Sequence, residues 1–373
     1  MGFCLGGRSR GDFLRSLSIV ATDGAYARAQ LLVLQACEAA CDERALRLQL
    51  LEAIRHAVPC DAYAWLLTDP ETSVGAAPLA DCPCLHELPR LIRLKYLTPV
   101  NRWTTLSEPP VGLLHQTTGG DLSRSRVWRE LLDGYDVVDV ASVAFRDRFG
   151  CWGFLDLWRS GTQSPFGPAD ADFLARVAAP IATALRRCQA GTFLLRGPRT
   201  SSRFGPVVLL LSPDLTVHGQ TPDTHDYLTA LLPSEPGKAP IPASAYNVGA
   251  QLIAAEQGID ASAPFARVHA ADGLWLTLRA ARVGHGGLRR ERDVVITIEQ
   301  ARPSERVAVF TRAFGLSARE SQILAELATG CDTRELARRL FVSEHTVQDH
   351  LKSIFAKTST LNRRILLSSC LGT

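Results

Sequence analysis

Gln348, Asp349 and Lys352 are the residues of this 373-residue chain whose types and spacing point most directly to a chemistry. They lie in SEHTVQDHLKSIFAK, Ser343 to Lys357, where a helix would put them on one side together with Glu344 and His345. A glutamine amide pairs in a bidentate way with adenine, a carboxylate accepts from the cytosine N4 amino group, and a lysine donates to guanine or to phosphate. The opposite side carries Val347, Leu351, Ile354 and Phe355, at i, i+4, i+7 and i+8, as an apolar stripe. Ser343 and Thr346 stand at the N-terminal end, where unpaired N–H groups and the helix dipole favour a phosphate. Any surface helix shows such a division, so the meaning of this one depends on its neighbours.

Those neighbours are short capped helices. GLSARESQILAELATG has Ser317 as N-cap with Glu320 three residues on, a capping box, and ends at Gly330. CDTRELARRL repeats the device with Asp332 and Glu335. The turn FVS leads to Ser343 as the next N-cap, and Asn362 caps a last helix through Leu371. Four such helices between Ser317 and Thr373 outline a helix-turn-helix unit. Residues 303–373 hold ten Lys/Arg and seven Asp/Glu, while the rest of the chain holds 31 of each, so the whole net charge of +3 lies in this segment. A basic segment on a neutral body fits a polyanionic partner.

The run FGLSARESQILAELATGCDTRELARRLFVSEHTVQDHLKSIFAKTSTLNRRILL closely resembles the DNA-binding domain of LuxR/NarL-type transcriptional regulators. The matching residues are LSARE (Leu316 to Glu320), Gly330, ELARRL (Glu335 to Leu340), Ser343, TVQDHLKSIFAK (Thr346 to Lys357) and Arg363. The resemblance implies that the third helix enters the major groove of double-stranded DNA, with base contacts from Gln348, Asp349 and Lys352 and phosphate contacts from Thr346 and Lys357. Ser343, His345 and Arg363 complete the expected DNA-binding set, and Leu316, Ile323, Leu336, Val347 and Ile354 would be core. The chain departs from the family pattern at KTSTLNR, with Ser359 in place of a C-cap glycine and Thr360 in place of an apolar residue. A left-handed non-glycine residue costs on the order of 1 kcal/mol. The last helix, which often carries dimer contacts in the family, is therefore expected to be less firmly set.

Two α+β units are expected ahead of this all-α four-helix domain, which takes residues 310–373. The first, residues 30–190, begins with a helical pattern from Arg28 to Val58 and a strand, AYAWLLT (Ala62 to Thr68). A long irregular stretch rich in Pro, Cys and Gly follows, and then a hairpin of VDVASVAFR and CWGFLDLWR around Asp147-Arg148-Phe149-Gly150. A helix capped by Asp170, with Phe173, Leu174, Val177, Ile181 and Leu185 inward, closes the unit. In the hairpin, Trp152, Phe154 and Trp158 would share one side and Cys151, Leu155 and Leu157 the other; the aromatic side would line a ligand pocket or form plain core. After the linker GTFLLRGPRTSSRFGP, residues 205–300 read as strand, turn and strand in PVVLLLSPDLTVHGQ, a helical middle, and strands in GLWLTLRAARV and DVVITIEQ. DAYAWLLTDPETS and GCWGFLDLWR are similar to GAF-type sensory domains. LLLSPDLTVHGQTP and the two last strands are similar to a PAS-like domain. Both likenesses imply a sensory or assembly role.

Composition excludes several classes. With 46% hydrophobic and 21% charged residues, and no apolar run near the ~18 residues of a membrane span, the chain reads as soluble, without membrane contact. Arginines interrupt its opening residues and no cleavage site follows, so it is expected in the cytoplasm, on the nucleoid when bound to DNA. Ten cysteines are too sparse for a disulfide scaffold. Cys37 and Cys41, one helical turn apart, read as small buried thiols. DCPCLHE offers Cys82, Cys84 and His86 as weak metal candidates, but CxC is not the structural zinc spacing and no second ligand pair is evident, so no metal is expected and no cofactor is assigned. No Ser/His/Asp or HExxH pattern supports an enzyme. The expected function is a one-component transcriptional regulator, a homodimer on double-stranded DNA answering a small-molecule effector of unassigned identity. The competing reading is an interaction or assembly protein with a degenerate DNA-binding domain, kept open by Ser359 and Asp349.

Overall fold

Two antiparallel five-stranded sheets precede a helical C-terminal unit in the computed structural model, which describes residues 10–39, 42–194, 205–232, 240–270, 274–284 and 292–372. The linker around residues 195–204 and Cys41 lie outside the described residues. Among those described, no helix is long and apolar enough to cross a membrane.

The first sheet has the order β2-β1-β5-β4-β3. Its elements run α1 (Arg10–Glu38), α2 (Glu43–Arg55), β1 (Ala62–Thr68), β2 (Gly75–Asp81), α3 (Leu88–Tyr96), β3 (Val111–Leu113), α4 (Leu114–Thr118), α5 (Arg126–Glu130), β4 (Val137–Asp147), β5 (Gly150–Ser160) and α6 (Pro168–Thr192). The single helical pattern expected from Arg28 to Val58 is two helices. Asp42 leaves the helical conformation and its carboxylate accepts from the N–H groups of Arg44 and Ala45, which starts α2 afresh. The stretch expected to be irregular holds β2, β3 and three short helices. Pro78 hides β2, and it is tolerated because β2 is an edge strand.

Both faces of this sheet are covered. On one, α1, α2 and α6 pack over Trp65, Phe145, Leu155 and Leu157. Asp170 is at the third position of α6, not its cap: its Oδ2 accepts from Gly167 N–H at 2.9 Å and its Oδ1 from the Tyr26 hydroxyl at 2.8 Å. The expected alternation of β5 also fails at one residue. Phe145 pairs with Gly153 but Arg146 with Cys151, so Trp152 is the extra residue of a β-bulge. Trp152 joins Leu155 and Leu157 under α6, and its Nε1 donates to Asp147 Oδ1 at 2.9 Å. Cys151 instead faces the other side with Phe154.

The second sheet, β7-β6-β10-β9-β8, is built from β6 (Val207–Leu211), β7 (Val217–Gln220), α7 (Thr224–Leu231), α8 (Ala243–Glu256), β8 (Phe265–His269), β9 (Trp275–Arg282) and β10 (Val294–Gln300). Here β8 is a strand where only a helical middle is expected; five residues are too few to show a period. α8 lies between this sheet and the first unit, against α3 and β2.

Two buried ion pairs join the units. Asp69, with no exposed surface, accepts Arg267 Nε at 2.7 Å, Arg267 NH2 at 2.8 Å and the Arg267 backbone N–H at 2.9 Å. Arg102, 1% exposed, donates to Asp260 Oδ2 at 2.9 Å and to Gln251 Oε1 at 3.0 Å. Burial would raise the Asp260 carboxyl, but hydrogen bonds from Ser262 and the charge of Arg102 outweigh it and hold it down to about 2. Removing Asp69 leaves the buried Arg267 with only the half-exposed Glu71, 2.8 Å from its NH2, and leaves its Nε and backbone N–H without their acceptor, so Asp69→Ala should destabilise the chain by about 3 kcal/mol in urea unfolding. Replacing both members, Asp69→Leu with Arg267→Met, should cost less than the single change.

Candidate nucleic-acid interface

The C-terminal unit consists of α9 (Pro303–Ala313), α10 (Ala318–Ala328), α11 (Thr333–Arg339), α12 (Glu344–Thr358) and α13 (Arg363–Leu371). The N-terminal boundary of each of the last four follows from a local polar residue. The capping box of α10 is reciprocal: Ser317 Oγ accepts from Glu320 N–H, and Glu320 Oε2 accepts from Ser317 N–H at 2.6 Å. Asp332 caps Glu335 N–H at 2.8 Å, but Glu335 turns its carboxylate to Arg339 at 2.7 Å, so this second device is a one-way cap. Ser343 caps Thr346 N–H at 3.1 Å, and Asn362 caps Ile365 N–H at 3.0 Å. The turn into α12 places Phe341 at φ 53°, with its ring 95% exposed.

α12 rests on α10 and α11 through Val347, Leu351, Ile354 and Thr358, all buried, with Phe355 at the edge of the core. Leu316, Ile323 and Leu336 are buried beneath it, as the family resemblance implies. Glu344, His345, Gln348, Asp349 and Lys352 are exposed along the other side. They are linked to one another: Lys352 Nζ donates to Asp349 Oδ1 at 3.0 Å, and His345 Nε2 lies 3.5 Å from Asp349 Oδ2. The Lys352 hydrogen bond lowers the Asp349 carboxyl from its ordinary value. Gln348 Nε2 is 3.5 Å from Thr333 Oγ1 at the start of α11, a long contact that leaves the amide available. Ser343 and Thr346 share a hydroxyl hydrogen bond at 2.9 Å at the head of the helix.

Two members of the expected DNA-binding set have their donors turned inward. Lys357 Nζ donates to Glu320 Oε2 at 2.6 Å, and Arg363 donates to the carbonyl of Cys331. Glu320 is thus more than a cap. Its carboxylate also accepts from Ser353 Oγ at 2.6 Å, which ties α12 to the first turn of α10. Burial would raise this carboxyl, but Lys357, Ser353 and Ser317 outweigh it and hold it down to about 2. The sequence carries a signal for this role in Glu320 three residues after Ser317, but that spacing speaks only for the capping half.

The departure at the end of α12 is accommodated. Ser359 takes the left-handed conformation, φ 51° and ψ 34°, at the C-cap. Thr360 is 5% exposed, with its hydroxyl 2.8 Å from that of the buried Thr358, so a polar pair fills a site where an apolar side chain is usual.

Cys82 and Cys84 are buried, whereas His86 is exposed and lies 3.3 Å from the Tyr135 hydroxyl. The Cys82 and Cys84 thiols are hydrogen-bonded to each other, but His86 does not join them, and no group of three or more His, Cys, Asp or Glu suited to a metal occurs among the described residues.

Residues 315–368 match the GerE family, "Bacterial regulatory proteins, luxR family". The C-terminal segment is a helix-turn-helix domain of that family. Over 48 residues the chain is 46% identical to the CsgBAC operon transcriptional regulatory protein of Escherichia coli (strain K12), and equally to the probable csgAB operon transcriptional regulatory protein of Salmonella typhimurium. Over 53 residues it is 42% identical to the monoamine regulon transcriptional regulator of Klebsiella aerogenes. These alignments take in 13% to 14% of this chain and 22% to 23% of the relatives, so the chain spans less than a quarter of the length of the curated relatives it matches. The crystal structure of Escherichia coli SdiA aligns over 92% of this chain and 96% of that chain at 13% identity, with a TM-score of 0.34, too low to carry an argument.

The Glu320 geometry has a pH signature. A carboxyl whose folded value lies below its ordinary value of about 4.3 stabilises the fold above that pH, and the contribution is lost as pH falls from there toward 2. Glu320→Gln should lower stability at pH 7 by roughly 1–3 kcal/mol and flatten the acid limb of the thermal-unfolding profile. An acid limb identical to that of the parent chain would show that Glu320 is not holding α12.

Proposed function

With a luxR-family domain at the C-terminus as the premise, we propose that the chain is a one-component transcriptional regulator whose α12 reads the major groove of double-stranded DNA. The observation that carries this reading is the exposed polar side of α12, set on a buried apolar stripe and presented by α11 across a short turn. Gln348, Asp349 and Lys352 would contact base edges. Ser343, His345 and Thr346 would lie against the phosphates at the helix N-terminus. Lys357 and Arg363 would contact phosphate with the N–H groups left over from their bonds to Glu320 and to the Cys331 carbonyl, which also hold α12 and α13 in place. The first unit, residues 30–190, is read as GAF-like and the second, residues 205–300, as PAS-like. Together they would sense a small-molecule effector, and the regulator would act as a homodimer.

Two features favour the assembly reading: Asp349 brings a negative charge to the side that would face phosphates, and Phe341, in the turn before α12, stands almost fully exposed. The two readings part on the reader side chains. Gln348→Ala should weaken binding to a selected operator about 5- to 150-fold with thermal stability unchanged. Lys352→Ala should weaken it and, where the lysine contacts phosphate, reduce the salt slope by about one. Fluorescence anisotropy across a salt series reads both. Salt-independent binding, or unchanged affinity in the double variant, would support assembly.

A further inference from the structure

The side of the first sheet away from α6 does not close on itself. Between β1, β2, β4 and β5 below and α3, α4 and α5 above lies a cavity with about 70 Å3 open to the centre of a water-sized sphere. That is several times the ~10–15 Å3 that one water requires. Its walls are mainly apolar, with Leu66, Leu88, Ile92, Val140 and Phe154 among them. Four polar atoms of its lining have no hydrogen-bond partner among the described residues: Trp158 Nε1, Ser125 Oγ, Asn101 Nδ2 and Asn247 Oδ1. Ser125 and Asn247 are 1% exposed and Trp158 2%. Buried polar side chains are paired in the large majority of cases, so four around one cavity form a concentration that calls for a partner.

The roles of these atoms are defined. The indole Nε1 can only donate. Asn101 Oδ1 already accepts from Thr117 at 2.9 Å, which leaves its amide nitrogen to donate into the cavity. Asn247 Nδ2 is spent on the Ala243 carbonyl at 2.8 Å, which leaves its oxygen to accept. The Ser125 hydroxyl can do either. The charged groups of the lining, Lys95 and Asp156, satisfy each other at 2.7 Å, with Ser142 Oγ donating to the carboxylate at 2.6 Å. The cavity therefore offers no unmatched charge. Asn247 comes from α8 of the second unit, and it reaches in because Gly75 has no side chain: a Cβ there would lie 2.8 Å from Asn247 Oδ1 and 2.7 Å from Leu66 Cδ2.

We propose that this cavity binds a compact, uncharged, largely apolar molecule bearing at least two carbonyl-type oxygens and one N–H or O–H group, and that Asn247 makes it a joint site of both front units. The oxygens face Trp158 and Asn101, the donor faces Asn247, and the Ser125 hydroxyl bonds to either kind of group. This deepens the sensory reading above and rests on it for its regulatory consequence: a ligand that engages Asn247 biases how α8 sits on the first sheet.

The test uses the full chain and neutral cyclic imides and lactams headed by 3,3-dimethylglutarimide, against cyclohexanecarboxylate and cyclohexylammonium as charged controls, titrated by ligand-observed NMR. Saturable binding of the neutral set alone is expected, weakened about three- to tenfold in Trp158→Phe and in Asn247→Leu. Ser125→Ala should weaken binding similarly while raising the thermal midpoint of the empty chain, since the hydroxyl it removes is unpaired; a lowered midpoint would show that the hydroxyl is paired. The site is overturned by failure of every neutral probe to bind, by preference for a charged control, or by affinities that the variants leave unmoved. DNA affinity is read separately. Ligand binding that leaves it unchanged overturns the sensory reading and not the site, whereas DNA binding with no ligand uptake overturns the site alone.

Discussion

All three units of the chain meet on the ring of Phe193. It ends α6, stacks on Trp275 of β9 at 4.9 Å and 18°, and meets the ring of Phe310 in α9 nearly edge-on at 5.2 Å. The guanidinium of Arg306 lies 5.5 Å from its centre and donates to the carbonyl of Cys370 at 3.3 Å, near the end of α13. An aromatic node of this kind is directional, because offset stacking and edge contact each fix an angle as well as a distance. Gly372 belongs to the same constraint: its φ is 76°, and a Cβ there would come within 2.9 Å of Arg306 Cζ. Beside this node, Glu305 of α9 accepts from Thr277 and Arg279 of β9, so the helical domain is held to the second sheet by polar contacts as well.

The consequence for DNA reading lies in which helices are used for attachment. α9 and α13 face the junction, α9 also packs on α6, and Arg186 and Arg312 reach across to the Ala313 and Phe149 carbonyls at 3.2 and 2.9 Å. α12 takes no part; it packs on α10 and α11 and is latched by Glu320. The arrangement separates the helix that would contact DNA from the helices that would transmit a change in the front units.

The helical domain was legible at the level of single residues. Ser317, Asp332, Ser343 and Asn362 all cap the helices expected of them, and Val347, Leu351 and Ile354 lie in the core. Capping joins a side chain to a backbone group two or three residues on, so its signal is local. The front units were legible only where a local pattern spoke alone. β1 falls at Ala62–Thr68 and the hairpin at Val137–Ser160 as expected, but β2, β3 and β8 escaped because a proline or sheer brevity masked their period. Trp152 and Cys151 of β5 were placed on the wrong sides for a different reason. A one-residue bulge at Trp152 shifts every later side chain to the opposite face, and nothing within the strand announces it.

Sequence alone determined the identity of the C-terminal domain, the starts of its last four helices, and which side of α12 is apolar, because each depends on residues within one or two helical turns; α9 is a fifth helix beyond the four expected. Tertiary structure decided what those elements are for. Only the fold brings Arg267 onto Asp69 across 198 residues, Arg102 onto Asp260 across 158, and Asn247 into the cavity of another unit. It likewise brings Lys357 onto Glu320 across 37 residues. Such pairings are set by packed sheets and helices at long separation, and a local pattern carries no record of them.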